Sequence, residues 1–201
     1  MRYDKKWALH WLNEFNNQII NHKQLLSDLD QAIGDGDHGI NMARGATELK
    51  KTFENETPET LKDVFKVAAM TLLSKVGGAA GPLYGSAFLN ISKEITSEEF
   101  SAKELAKAIE SGLEGIETLG HSTAGEKTMI DVWQPVVSAL HQEELTDDVI
   151  EVALEKTKKM QATKGRASYL GDRSIGHLDP GAYSSAILFH AMLSVSGDTD
   201  D

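Results

Sequence analysis

Cysteine is absent from the 201-residue chain, which excludes disulfides, thiolate catalysis and Cys-based zinc or iron–sulfur centres, so any metal must be held by oxygen or imidazole. Positive charge is also scarce. Twenty Lys and Arg face 31 Asp and Glu, a formal net charge of −11, and such a surface repels nucleic-acid backbones and anionic lipid headgroups. No apolar run approaches the ~20 residues needed to span a bilayer. Met1 to Leu12 is too charged and too rich in Trp for a signal peptide, so the expected setting is the cytosol. Long apolar/polar alternation is missing too, and the Asp35-Gly36 pair follows a helical pattern instead of linking two strand-like runs.

What is present is helical. With 40% hydrophobic and 25% charged residues the composition is that of an ordinary globular protein. Trp7, Trp11, Phe15 and Ile19 recur at every fourth position and predict a first helix from about Lys5 to about Leu26. A second is expected near Gly39 and a third from Thr57-Pro58-Glu59, with Thr57 as N-cap, ending at Gly77-Gly78. Pro82 opens a fourth, and Ser101-Ala102-Lys103-Glu104 has the form of a capping box for a fifth. Segments from Met129, Val149 and Gly181 bring the count to about eight helices. The expected fold is all-α, an antiparallel eight-helix barrel or bundle forming a single domain over 1–201, with 197–201 as a frayed acidic tail.

Four polar, glycine-rich interruptions separate these helices, and glycine there lets backbone N–H groups approach an anion closely. The first contains Asp30, Asp35 and Asp37. A continuous helix would place Asp35 roughly 140° from Asp30, and a strand would oppose Asp30 to the other two, so only a bent loop converges all three. Converging carboxylates repel unless a cation lies between them, and all-oxygen ligation selects Mg²⁺, Mn²⁺ or Ca²⁺. An EF-hand fails in either register: counted from Asp35, loop positions 6 and 12 hold Ile40 and Ala46; counted from Asp28 they hold Ile33 and Gly39. Magnesium completed by phosphate oxygens is the better fit, the bland alternative being acids that only cap the next helix.

The segment Gly120 to Thr128 is not a P-loop, because Glu126 is one residue too many before Lys127 and no strand precedes it. It either presents Lys127 and backbone amides to a phosphate or is a plain inter-helix loop. Gly77 to Pro82 is either a close-approach surface or a tight connection. The long stretch from Lys164 to Gly181 carries Arg166 and Arg173, which either offset phosphate charge or pair with surface carboxylates. His10, His22, His141 and His190 fall within helices, whereas His38, His121 and His177 fall in the special loops, and their spacing builds no catalytic triad.

Taken together, Asp30-x4-Asp35-Gly-Asp37-His38-Gly39, Val76-Gly77-Gly78-Ala79, Gly125-Glu126-Lys127-Thr128-Met129-Ile130-Asp131-Val132-Trp133, Gly165 to Gly171 and Asp179-Pro180-Gly181 resemble the nucleotide-binding L subunits of dihydroxyacetone kinases. The resemblance implies an eight-helix barrel closed at one end by ADP or ATP with two Mg²⁺ ions. It implies Asp30, Asp35 and Asp37 as metal ligands, with His38, Gly39, Ile40, Asn41, Gly78, Ala79, Gly120, Met129, Arg166, Asp179, Pro180 and Gly181 against the nucleotide. Asp172 stands where Glu is expected. No protein nucleophile is implied. The length matches the L portion alone, which implies the phosphoenolpyruvate-dependent system of glycerol metabolism. There, tightly bound ADP is phosphorylated in place by a phosphohistidine-carrying M subunit and passes the group to dihydroxyacetone on a separate K subunit. Two other readings are an ATP-dependent kinase subunit with exchangeable ATP, and a regulatory module signalling to a transcription factor.

Overall fold

The computed structural model describes residues 3–197. Among them are nine α-helices: α1 (Lys5–Asn21), α2 (Lys23–Ile33), α3 (His38–Asn55), α4 (Leu61–Lys75), α5 (Ala80–Glu94), α6 (Ala102–Gly120), α7 (Ile130–Gln142), α8 (Asp147–Lys159) and α9 (Pro180–Gly197). A 3₁₀ segment, Arg166–Ser174, precedes α9. From α3 to α9 each helix packs on the next, and α1 lies against both α9 and α3, closing a circuit of eight. Trp7 Nε1 donates to Ser196 Oγ while His22 stacks near Tyr183, so α1 and α9 run antiparallel. The expected all-α barrel is therefore what forms.

The ninth helix comes from a break in the first. His22 leaves the helical region at ψ 11°, its N–H bonds Gln18 O, and α2 starts at Lys23. Leu26, Asp30 and Ile33 form the buried face of α2, which sits at one end of the ring against α3, α9 and the 3₁₀ segment. A second correction concerns α4. Its N-cap is Thr60, whose Oγ1 accepts from Asp63 N at 3.1 Å, and not Thr57, because Pro58 is buried ahead of the helix instead of opening it. The Ser101–Glu104 capping box forms as expected. Of the predicted acidic tail, Gly197 is the last residue of α9 and residues 198–201 lie outside the described residues. A short β pairing, Tyr3–Asp4 antiparallel to Glu99–Phe100, was not anticipated.

The core holds Trp11, Phe15, Phe65, Tyr84, Phe88, Trp133 and Phe189, all essentially inaccessible to solvent. Each such side chain contributes roughly 1.5–3 kcal/mol by leaving water. Their polar ends converge on α9, with Trp11 Nε1 donating to Leu188 O at 2.8 Å, Trp133 Nε1 to Ser185 Oγ at 3.1 Å, and Tyr84 hydroxyl meeting Ser184 and Ser185. This satisfies every buried ring donor and fixes the rotation of α9, whose N-terminal turn borders the site. Among the described residues no helix is long and apolar enough to cross a membrane.

Candidate functional site

In an up-and-down ring alternate connections share an end, and here the shared end receives the segments 34–37, 76–79, 121–129 and 160–179. They enclose a cleft of about 450 Å³, within the range of small-molecule sites.

Asp30 lies on the last turn of α2, Asp35 in the bend and Asp37 at the N-cap of α3, where its side chain makes no capping bond. The bend requires Gly36, at φ +78°, a conformation L side chains avoid. One carboxylate oxygen from each aspartate lies within 4.8 Å of the others, the sole such acid or imidazole cluster among the described residues. Asp30 is buried and its Oδ2 accepts the His38 N–H at 3.1 Å. Burial first, then the charges of Asp35 and Asp37, raise its pKa. Three carboxylates offer only acceptors, so this arrangement fits a hard divalent cation. Arg166 Nη1 meets Asp35 Oδ2 at 2.9 Å, an exposed pair at the cleft mouth.

His38, Asn41, Gly78, Ala79, Met129 and Arg166 line the cleft, as do Asp179, Pro180 and Gly181. His38 Nε2 lies 3.1 Å from Ser184 Oγ, and burial pushes its pKa down to about 4, so the ring is neutral near pH 7. Asp179 caps α9, its Oδ2 accepting from Ala182 N at 2.8 Å, and burial raises its pKa to about 7 despite that bond. Three of the residues singled out from the sequence fall outside the cleft wall. Gly120 lines an adjoining apolar recess with Leu83 and Met129. Ile40 points outward, 51% exposed. Gly39 faces α2, where a Cβ would stand 2.0 Å from Lys23 O. Gly39→Ala is accordingly expected to lower stability by about 1–3 kcal/mol, the range for overpacking, measured by urea unfolding; an unchanged midpoint would show that α2 and α3 separate freely.

Lys127 matches neither of the two readings left open for its loop. Instead of presenting its ammonium to a phosphate, it sits at φ +61° with a 1% exposed side chain. Its Nζ donates to Thr157 O (2.8 Å), Met160 O (3.1 Å), Ser174 O (2.7 Å) and His177 O (2.6 Å). Burial lowers its pKa. Sequence reading also missed Asp131, whose carboxylate accepts from Gly125 N at 2.5 Å and Thr128 N at 2.7 Å and so folds the loop ahead of α7. The spacing Thr128-x-x-Asp131 carried that signal, being a capping-box variant.

Residues 32–194 match the family profile described as the DAK2 domain. The chain is 72% identical over 193 residues to the ADP-binding subunit DhaL of PEP-dependent dihydroxyacetone kinase 1 from Listeria innocua, covering 96% of this chain and 98% of that one. It is 49% identical to the ADP-binding subunit of the PTS-dependent enzyme of Lactococcus lactis, covering 94% of this chain and 96% of that one. With the Escherichia coli DhaL subunit identity is 36% over 98% and 99% of the two chains. The fold also matches the crystal structure of the dihydroxyacetone kinase from C. freundii in complex with AMP-PNP and Mg²⁺, with a TM-score of 0.74 at 24% identity. That match covers 93% of this chain and 34% of the other.

Proposed function

The chain belongs to the DAK2 domain family of dihydroxyacetone kinase ADP-binding subunits, and from that premise we propose that it is the phosphoryl-transfer subunit of a phosphoenolpyruvate-dependent dihydroxyacetone kinase. The observation that carries the reading is the convergence of Asp30, Asp35 and Asp37 in a cleft bordered by the N-terminal turns of α3 and α9. All of 1–201 serves as one nucleotide-binding domain, working in the cytosol.

Asp30, Asp35 and Asp37 would hold two Mg²⁺, which when bound neutralise charge on the transferring phosphoryl group. The N-terminal ends of α3 and α9 border the cleft and place the positive ends of their helix dipoles there. Arg166 supplies a cation at the mouth, free to exchange Asp35 for a phosphate oxygen. Neutral His38 adds no charge and is held at the cleft wall by hydrogen bonds to Ser184 and to the Pro180 backbone. None of these side chains is disposed as an activated nucleophile, so the chain's work is positioning and charge balance. In this reading ADP stays bound and is rephosphorylated in place by a phosphohistidine-carrying M subunit, and dihydroxyacetone is presented by a separate K subunit. A regulator sensing the nucleotide state is a further partner.

Freshly purified and extensively dialysed protein, once denatured, is expected to release about one ADP and about two magnesium ions per chain, as a two-ion phosphoryl-transfer site requires. Empty protein that binds ATP reversibly would instead identify an ATP-dependent kinase subunit. No nucleotide binding at all would overturn the assignment.

A further inference from the structure

We propose that Lys127 is a positioning residue: its ammonium acts as a built-in monovalent cation inside a ring of four carbonyl oxygens, and this staple sets the shape of the cleft. The inference rests on the nucleotide-site reading for its consequence, and on geometry alone for the staple itself.

The four oxygens come from three places, Thr157 and Met160 at the C-terminal end of α8, Ser174 at the end of the 3₁₀ segment, and His177 in the turn before α9. All are acceptors, so the amine must be protonated; a neutral amine would aim its lone pair at an oxygen. Three N–H bonds serving four carbonyls 2.6–3.1 Å away make a coordination shell of the kind that replaces the hydration of potassium or ammonium. The negative end of the α8 dipole adds to the attraction. The backbone at Lys127 is left-handed, a strained conformation for an L side chain that persists only when surrounding contacts impose it.

Three of the tied segments adjoin a wall of the cleft. Met129 lies two residues after Lys127, Asp179 two after His177, and Arg166 starts the 3₁₀ segment that Ser174 ends. Supporting bonds lock the same strut, with Asp179 N donating to Thr157 Oγ1 and Ala162 N to Ser174 Oγ. Loss of the cation would release three cleft-bearing segments at once, though its own atoms need touch no nucleotide.

Chemical rescue tests this. Lys127→Ala leaves a void ending in the carbonyl ring, whereas Lys127→Met fills it with a neutral chain. In sodium buffer both variants are expected to bind Mg-ADP about 10–100-fold more weakly, the effect of misplacing a site by about an ångström, and to melt lower than wild type. Ammonium or methylammonium chloride should restore binding and melting temperature of Lys127→Ala alone, with tetramethylammonium, too large for the ring, as the control. Wild-type binding by Lys127→Ala, or a loss insensitive to cation, would overturn the proposal. If Lys127→Ala is insoluble, refolding in ammonium against sodium gives the same contrast. If it folds in neither, ¹⁵N NMR of the wild-type Lys127 ammonium decides: slowly exchanging protons that shift on ADP binding support the staple, and solvent-like exchange rejects it. A wild type that binds no ADP while Lys127→Ala still regains its melting temperature in ammonium would reject the nucleotide reading and keep the staple.

Discussion

Asp35→Asn is expected to strip the protein of nucleotide and divalent metal while leaving the barrel folded. Asp35 lies in a bend outside any helix, and its carboxylate touches only Arg166 and the neighbouring acids, so no core contact is lost. The exposed ion pair with Arg166 is itself worth at most about 1 kcal/mol. Loss of one ligand from a hard-cation site removes both charge and geometry, and Mg-ADP affinity should fall at least about 100-fold, about 2.8 kcal/mol. Calorimetric titration of Mg²⁺ and ADP, beside thermal melts of the nucleotide-free proteins, separates the two effects. Stoichiometric nucleotide retained by the variant would remove the metal assignment; a collapsed melting temperature would show instead that the acids serve the fold.

The second large effect has the opposite sign. Asp179→Asn is expected to stabilise the nucleotide-free protein at pH 8. The Asp179 carboxyl keeps its proton in the folded state up to about pH 7 because it is buried, whereas in the unfolded chain it ionises near pH 3.9. Between those values the folded protein binds the extra proton, so unfolding free energy falls as pH rises and the full penalty is present above about pH 7. A displacement of about three pKa units corresponds to about 4 kcal/mol. That displacement already includes the opposing pull of Lys127; Asn retains an oxygen for the Ala182 N–H but buries an amide NH₂ in place of the second carboxylate oxygen, so a net gain of about 2 kcal/mol is expected at pH 8, vanishing near pH 4. Urea unfolding of both proteins at the two pH values checks it. A variant less stable than wild type at pH 8 would show that the buried carboxylate carries no net penalty and that its pKa is not raised. The wild type tolerates the penalty at a position lining the cleft, where ionisable groups with displaced pKa values concentrate.

The barrel was legible because its helices bury one stripe each, and Trp7, Trp11, Phe15 and Ile19 advertise such a stripe with no competing period. Local chemistry set the boundaries where it acted alone, as at Ser101 and Glu104. It misled where two caps compete within four residues: Thr60 prevails over Thr57 because Pro58 is drawn into the core, a tertiary effect that propensity does not contain. The break at His22 was hidden for a related reason, since the apolar period runs on through Leu26 while the backbone turns to carry α2 over the site. Convergence of the three aspartates followed from the glycines between them. The direction of Lys127 did not, because its four partners lie 30 to 50 residues away and are main-chain oxygens, invisible to any side-chain pattern.

Antiparallel packing of α1 on α9 brings Trp7 beside Ser196, at the opposite end of the barrel from the aspartates. Seventeen residues of α1 separate the two ends, about 25 Å at 1.5 Å per residue. A group attached beside the first turn of α1 or the last turn of α9 would therefore sit behind the site and leave the mouth of the cleft open. The same arrangement makes the fold a convenient insert: the start of α1 and the end of α9 meet on one face, so a short tether between them suffices, and a permuted chain opened between α5 and α6 would keep all four site loops intact.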